Sequence, residues 1–160
     1  MLLVDVDGVL TDGGVILDNQ GVESKRFSIR DGQGIRFWQH AGGQVGIVTG
    51  RSSQVVKLRA AELDIDIVRQ GVKQKLPVVE SIAADVGLQL EEVAYVGDDL
   101  LDLPVIRRVG LGVAVADAAE EVREAADYVT NLPGGHGAVR EIIEQILKHT
   151  GRWDAVLKRY

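Results

Sequence analysis

The chain has 160 residues, no cysteine, 46% hydrophobic and 26% charged residues, and a formal charge of −6 at pH 7. That length suits one domain with its own core, the acidic balance excludes non-specific nucleic-acid binding through a basic face, and the lack of cysteine excludes disulfides, thiolate nucleophiles and Cys-ligated metals. The apolar start, Met1 to Leu10, is too short and too acidic for a secretory signal, and no apolar run is long enough to span a bilayer, so a cytoplasmic location is expected.

Short Val/Ile-rich runs alternate with longer amphipathic stretches. Leu2–Val6 reads as a buried strand. Val15–Leu17 and Glu23–Ile29 read as the arms of a hairpin around an Asp18-Asn19-Gln20-Gly21 turn. A helix over Gly34–His40 and a buried strand over Gln44–Val48 follow. Ser52–Leu63 has helical periodicity with a serine N-cap. Ile65–Val68 is a short strand, Leu76–Val86 a helix closed by Gly87, and Val93–Val96 a strand. Leu101–Val109 is helical, with Pro104 tolerated in its first turn. Gly112–Val115, Ala119–Ala125 and Tyr128–Val129 continue the alternation, and Val139–Lys148 is a last amphipathic helix before a tail. This order predicts an α/β fold, a Rossmann-like parallel sheet with helices on both faces. Ligands of such sheets bind at the carboxyl ends of the strands.

Acidic residues gather at those ends. Asp5 and Asp7 follow the first strand, and Asp98 and Asp99, with Asp102 close behind, follow Val93–Val96. Two carboxylates at i and i+2 of an extended chain point to one side and repel unless a cation joins them. A magnesium ion, a hard cation preferring oxygen ligands, would do so. One carboxylate could then attack phosphorus while the other handles protons. Thr49-Gly50-Arg51 follows another strand, where a hydroxyl and backbone N–H groups can hold phosphate oxygens. Lys75, if buried near the carboxylates, would keep its charge and neutralise phosphate. Taken singly, each feature reads equally well as a helix cap or a solvated surface charge.

The order D-x-D-G, T-G-R, lysine and G-D-D-x-x-D, spread over nearly the whole chain, resembles the haloacid dehalogenase-like (HAD) phosphatases. The resemblance implies that Asp5 is a nucleophile forming an aspartyl-phosphate and that Asp7 is the general acid/base. It implies that Asp5, the Asp7 carbonyl and Asp98 hold Mg2+, that Asp99 and Asp102 support them from behind, and that Thr49 and Lys75 neutralise the phosphoryl group. Only a hairpin (about 13–29) and one helix fit between Asp7 and Thr49, and one helix between Lys75 and Asp98, so the single domain, 1–160, has no cap.

Ser28-Ile29-Arg30-Asp31-Gly32-Gln33-Gly34-Ile35-Arg36 and Gly134-Gly135-His136-Gly137-Ala138-Val139-Arg140-Glu141 resemble the capless 3-deoxy-D-manno-octulosonate 8-phosphate phosphatases. That resemblance implies a homotetramer in which the hairpin of one subunit faces the active site of another, and a product that feeds lipopolysaccharide synthesis. It also implies substrate contacts by Asp7, Ser28, Ile29, Arg30, Asp31, Gly32, Arg36, Arg51, Arg59 and Lys75. A guanidinium suits a sugar-acid carboxylate because its planar fork binds bidentately. Arg51 and Arg59 would share a helical face if their helix began at Arg51. The related 2-keto-3-deoxy-nonulosonate 9-phosphate phosphatases carry Glu where this chain has Arg51, which favours the eight-carbon substrate. His136 stands where that family usually has Arg, and reads here as an exposed loop residue. The tail, about 150–160, is expected either to close over a neighbouring site or to fray. The nonulosonate phosphate, a broader set of sugar phosphates, and a non-catalytic oligomeric module remain alternatives at this point.

Overall fold

A computed structural model describes residues 1–159. Among the described residues eight strands form: β1 (Leu2–Val4), β2 (Ile16–Leu17), β3 (Glu23–Ser24), β4 (Val45–Val48), β5 (Ile67–Arg69), β6 (Ala94–Gly97), β7 (Leu111–Ala114) and β8 (Tyr128–Val129). Six of them make one parallel sheet in the order β5-β4-β1-β6-β7-β8. The other two, β2 and β3, pair antiparallel as a separate hairpin.

The helices are α1 (Ile29–His40), α2 (Gln54–Glu62), α3 (Lys75–Asp85), α4 (Leu103–Ile106), α5 (Glu120–Ala125), α6 (Ala138–His149) and α7 (Trp153–Leu157). Six of them fall into two groups. α1 packs on α6 and α6 on α7, while α4 packs on both α3 and α5. Between the groups, Leu2, Leu3, Val4, Tyr95 and Val96 are fully buried, as central strands covered on both faces must be. With few aromatics, the core rests on Val, Ile, Leu and Ala, and close packing of these branched side chains leaves little slack.

Most boundaries fall within two or three residues of the sequence reading; two differ by five, the start of α1 and the end of β3, which stops at Ser24 rather than Ile29, and smaller shifts at α4 and α2 bear on the site. α1 begins at Ile29, because Ser28 caps it by accepting from the Asp31 N–H. Its first two turns carry two glycines, Gly32 and Gly34, which weaken the helical signal. The helix expected over Leu101–Val109 shortens to α4, with Pro104 in its first turn and turns on either side. α2 begins at Gln54, so Arg51 lies outside it and the shared helical face of Arg51 and Arg59 does not exist. Ser53 occupies the α2 N-cap position but its side chain makes no capping bond.

The tail does not fray within the described residues. Arg152 stacks over Trp38, and the Trp153 ring meets Phe37 edge-on at 5.8 Å. The expected tail extends to Tyr160, which lies outside the described residues. His136 is exposed, as expected, with its Nδ1 paired with the Gly134 carbonyl at 2.7 Å.

Candidate active site

β1, β4 and β6 end side by side, so the loops after them converge. The Asp5 N–H donates to the Val96 carbonyl at 3.0 Å, and the Thr49 N–H to the Arg69 carbonyl at 2.9 Å, extending the ladder to the residues that need placing. After Asp5 the chain folds over the Val6 carbonyl, which accepts from the N–H groups of Val9, Leu10 and Thr11. The Thr11 hydroxyl fastens this turn, accepting from Gly13 at 3.2 Å and bonding the Val6 carbonyl. Gly8 has φ +88°, and a Cβ there would stand 2.0 Å from Asp98 Oδ2, so only glycine lets the two acidic loops approach. Gly134 docks equally tightly from the far side: its Cβ would lie 1.7 Å from the Gly8 carbonyl oxygen.

The result is a crevice of about 200 Å³ lined by Asp5, Asp7, Thr49, Gly50, Arg51, Lys75, Asp98, Asp99, Leu101 and Asp102. Its centre is a buried ion cluster. Lys75, at the first position of α3 and 3% exposed, sits 2.7 Å from Asp5 Oδ2 and 2.6 Å from Asp102 Oδ1. Asp102 has no exposure at all, and it is the hub: Oδ1 also accepts from the Tyr95 hydroxyl at 2.5 Å, and Oδ2 from the N–H groups of Asp98 and Asp99. Burial of Asp102 is possible because its lone pairs are satisfied this way. Asp5 Oδ1 accepts from the Val6 N–H at 2.7 Å.

These charges set the titration. Burial lowers the Lys75 ammonium, but Asp102 and Asp5 more than restore it, so it stays above its ordinary range. Burial and the Asp102 charge hold Asp5 above the usual carboxylate range against the pull of Lys75. Burial, then Asp102 and Asp5, push Asp98 up to about 8. A carboxyl so displaced is common at functional sites.

One atom in the cluster lacks a partner: Asp98 Oδ1 is buried and makes no hydrogen bond. Oxygens of Asp5, Asp98 and Asp102 lie within 4.8 Å of one another. With Asp102 committed to Lys75 and Tyr95, Asp5 and Asp98 are the carboxylates open to an oxygen-seeking cation. The all-oxygen donor set and the excess of negative charge fit magnesium.

Asp7 lies on the outer side. Its Oδ1 pairs with the ammonium of Lys25, whose side chain is 1% exposed just beyond β3. Lys25 is 3.5 Å from Glu23 Oε1, and Arg51 reaches the same oxygen at 2.8 Å. Sequence reasoning missed Lys25, Glu23, Tyr95 and Thr11. The signal for Lys25 and Glu23 was their i, i+2 spacing on one hairpin arm, which puts both on one face. The signal for Tyr95 was a tyrosine inside an apolar strand, whose hydroxyl needs a partner.

The remaining expected substrate contacts lie elsewhere in the same chain. Arg36 pairs with Asp64 at 2.9 Å and with the Glu62 carbonyl. Arg59 pairs with Glu62, bonds the Ser28 carbonyl and lies over Phe27. Asp31 is 1% exposed, and its carboxylate accepts from the N–H groups of Gly137 and Arg140, capping α6. Gly32 is buried against Arg59. Ile29 is 85% exposed, and Arg30 lines a shallow hollow with Arg140 and Glu144. None of these six, nor Ser28, lines the crevice.

Residues 59–142 match the family of haloacid dehalogenase-like hydrolases. The 3-deoxy-D-manno-octulosonate 8-phosphate phosphatase of Escherichia coli K12 is 46% identical over 154 residues, 96% of this chain and 82% of that one. Its counterpart from Yersinia pestis is 46% identical over 92% of this chain and 79% of that protein. Among solved structures, the Moraxella catarrhalis 3-deoxy-D-manno-octulosonate 8-phosphate phosphatase, crystallised with magnesium, phosphate and KDO, superposes with a TM-score of 0.97 at 40% identity. That superposition covers 99% of this chain and 91% of the other. The cobalt-bound enzyme from Haemophilus influenzae superposes with a TM-score of 0.91 at 39% identity, over 94% and 88% of the two chains. On this similarity and these shared motifs, the chain belongs to the haloacid dehalogenase-like hydrolases and, within them, to the family of the 3-deoxy-D-manno-octulosonate 8-phosphate phosphatases.

Proposed function

We propose that the protein releases phosphate from 3-deoxy-D-manno-octulosonate 8-phosphate, with magnesium as its metal. The observation that carries the reading is the pairing of an intact Asp5–Lys75–Asp98 centre with 46% identity along nearly the whole chain to enzymes of that name. A catalytically silent module would not need a buried lysine and an unpartnered carboxylate oxygen at one crevice.

In this reading Asp5 attacks phosphorus. The bond from phosphorus to the sugar oxygen breaks, and Asp7 gives its proton to that oxygen, so the alcohol leaves neutral. Asp7 then takes a proton from water. The water oxygen attacks the aspartyl-phosphate, freeing inorganic phosphate and restoring the Asp5 carboxylate. Lys75 and Thr49 offset charge on the phosphoryl oxygens from fixed positions, which lowers the cost of reorganisation. The Asp5 and Asp98 carboxylates and the Asp7 carbonyl would hold the magnesium ion, with Asp99 and Asp102 behind them. When bound, the metal adds positive charge at those same oxygens. Arg51, at the rim and half-exposed, is the guanidinium available to the sugar-acid carboxylate.

Oligomerisation belongs to the same proposal. Val15, Ile16, Leu17 and Val22 are each more than half exposed on the hairpin, an apolar cluster that a second subunit would cover. Substrate contacts by Ser28, Ile29, Arg30, Arg36 and Arg59 would then require that neighbour, in a tetramer with shared sites, whereas Asp31 and Gly32 are buried within their own chain. A monomeric mass in solution refutes this part. No helix among the described residues is long and apolar enough to cross a membrane, and a cytoplasmic enzyme is the proposal. The decisive assay is phosphate release from the eight-carbon and nine-carbon sugar-acid phosphates and a plain sugar phosphate, with magnesium and with chelator. Release from the eight-carbon ester should be fastest and should vanish with chelator. Release from none of them refutes the function, and preference for the nine-carbon ester moves the substrate.

A further inference from the structure

Lys25 is the most buried charge of the hairpin, with a side chain 1% exposed, yet it sits on a two-stranded element whose apolar residues face outward. Burying an ammonium costs several kcal/mol unless it is paired. Its partners are Asp7 Oδ1 and, at 3.5 Å, Glu23 Oε1. Glu23 in turn accepts from Arg51 Nη2 at 2.8 Å. The second Asp7 oxygen, Oδ2, makes no hydrogen bond: Arg51 Nε, its ion-pair partner, is 3.8 Å away, beyond hydrogen-bond reach.

We propose that Lys25 is a positioning residue for the reaction: by occupying Asp7 Oδ1 it fixes the carboxyl rotamer and leaves Oδ2 as the oxygen that exchanges the proton with the leaving group and then with water. The inference rests on the acid/base role of Asp7 set out above. It assigns the hairpin a task inside its own chain, besides any contact with a neighbour. A carboxyl that turns freely about its last bond presents the wrong oxygen part of the time, and misplaced proton donors lose much of the gain that general acid catalysis supplies. Glu23 holds Lys25 from the other side and pairs with Arg51, so acid/base and rim guanidinium are braced by one arm of the hairpin.

The test uses leaving groups that differ in their need for a proton. The alcohol of 3-deoxy-D-manno-octulosonate 8-phosphate must be protonated as it departs, whereas the phenolate of p-nitrophenyl phosphate leaves without help. The quantity to compare is kcat/KM, which reports events up to the first irreversible step, phosphoryl transfer to Asp5. In Lys25→Met, kcat/KM on the sugar phosphate should fall about tenfold or more beyond any fall on the aryl ester. Lys25→Arg, which keeps a donor of the same charge, should recover part of the difference. Equal losses on both esters mean that Lys25 only holds the hairpin and overturn the assignment. Wild-type protein that hydrolyses neither ester overturns the phosphatase reading itself, and this assignment with it.

Discussion

Two lysines meet three aspartates at this crevice, and they do so under different conditions. Lys75 lies in the core of the site, bound to Asp5 and to a fully buried Asp102 that Tyr95 and two backbone N–H groups also hold. Lys25 reaches Asp7 from the hairpin, in a chain that runs on through Glu23 to an Arg51 whose side chain is 49% exposed. Inside, each charge depends on the others, because an unpaired ion there has no solvent to fall back on. Towards the rim, water and salt share the load. The inner cluster therefore ties chemistry to stability, whereas the outer chain can be altered with little effect on the fold only at its exposed end, Arg51.

The sharpest way to test that division begins at Asp5. Asp5→Asn removes the nucleophile and one negative charge from a cluster in which Asp102 and Asp98 already repel it. Turnover should fall to background while the thermal midpoint stays the same or rises. A loss of activity accompanied by unfolding would mean that Asp5 is structural. Lys75→Met should do the reverse for stability: Asp5 and Asp102 lose their counter-ion, at a cost of about 3–5 kcal/mol. Denaturant titration should show this loss in metal-free protein. Excess magnesium should return part of it, because the cation would take over the neutralisation. A loss that ignores magnesium would place the metal elsewhere.

Tyr95→Phe probes the hub alone. The hydroxyl donates to a carboxylate that keeps Lys75, so the expected loss is about 1.5 kcal/mol, the range for hydrogen bonds to charged groups. A drop in kcat should accompany it, because Asp102 orients Lys75.

Much of the inner cluster was legible from sequence, and the reason is local. Asp5, Thr49 and Asp98 each follow a buried strand at a fixed offset, and parallel pairing of β1, β4 and β6 brings those ends together. Motif order and strand pattern thus carried the position of the nucleophile, and burial of Lys75 followed once the order was seen. The outer chain was not legible because its contacts join residues 18 and 28 positions apart, Asp7 to Lys25 and Glu23 to Arg51. No periodicity encodes how a hairpin folds back over a loop. The role of Asp31 was obscured for a related reason. A charged residue in an Arg-Asp-Gly stretch reads as a surface contact, while its carboxylate caps a helix more than a hundred residues away.

Asp98 gives the comparison a pH axis. Its folded value of about 8 in metal-free protein lies above that of an unfolded carboxyl, so between those values the native state binds the extra proton. Stability from this group is full at low pH and is lost as pH rises towards about 8. Magnesium must displace that proton, so its binding should tighten from pH 6 to pH 8 and then level off. The thermal shift on adding magnesium should grow over the same interval. Calorimetry at pH 7 in two buffers of different ionisation enthalpy should count close to one proton released per metal bound. Release of none would mean that Asp98 is already ionised and does not govern the site.

The smallest expected effect on stability belongs to Arg51. Its guanidinium pairs with Glu23 at 2.8 Å and stands 3.8 Å from Asp7, but half of it meets solvent. Exposed pairs of this kind contribute roughly 0–1 kcal/mol, so Arg51→Ala should leave the denaturation midpoint nearly unchanged. Its effect should appear in substrate choice instead. If Arg51 binds the sugar-acid carboxylate, KM for 3-deoxy-D-manno-octulosonate 8-phosphate should rise about tenfold or more, in keeping with the 1.5–3 kcal/mol of a charge-assisted hydrogen bond. KM for a phosphomonoester without a carboxylate should change far less. The substitution also frees Glu23 Oε1 from its second cation, leaving Lys25 as its only ion-pair partner among the described residues and Asp7 still braced. A matching loss on both substrates would mean that Arg51 serves the phosphate or the brace. The outer chain would then act on the chemistry, and the division between the two lysines would fail at its rim.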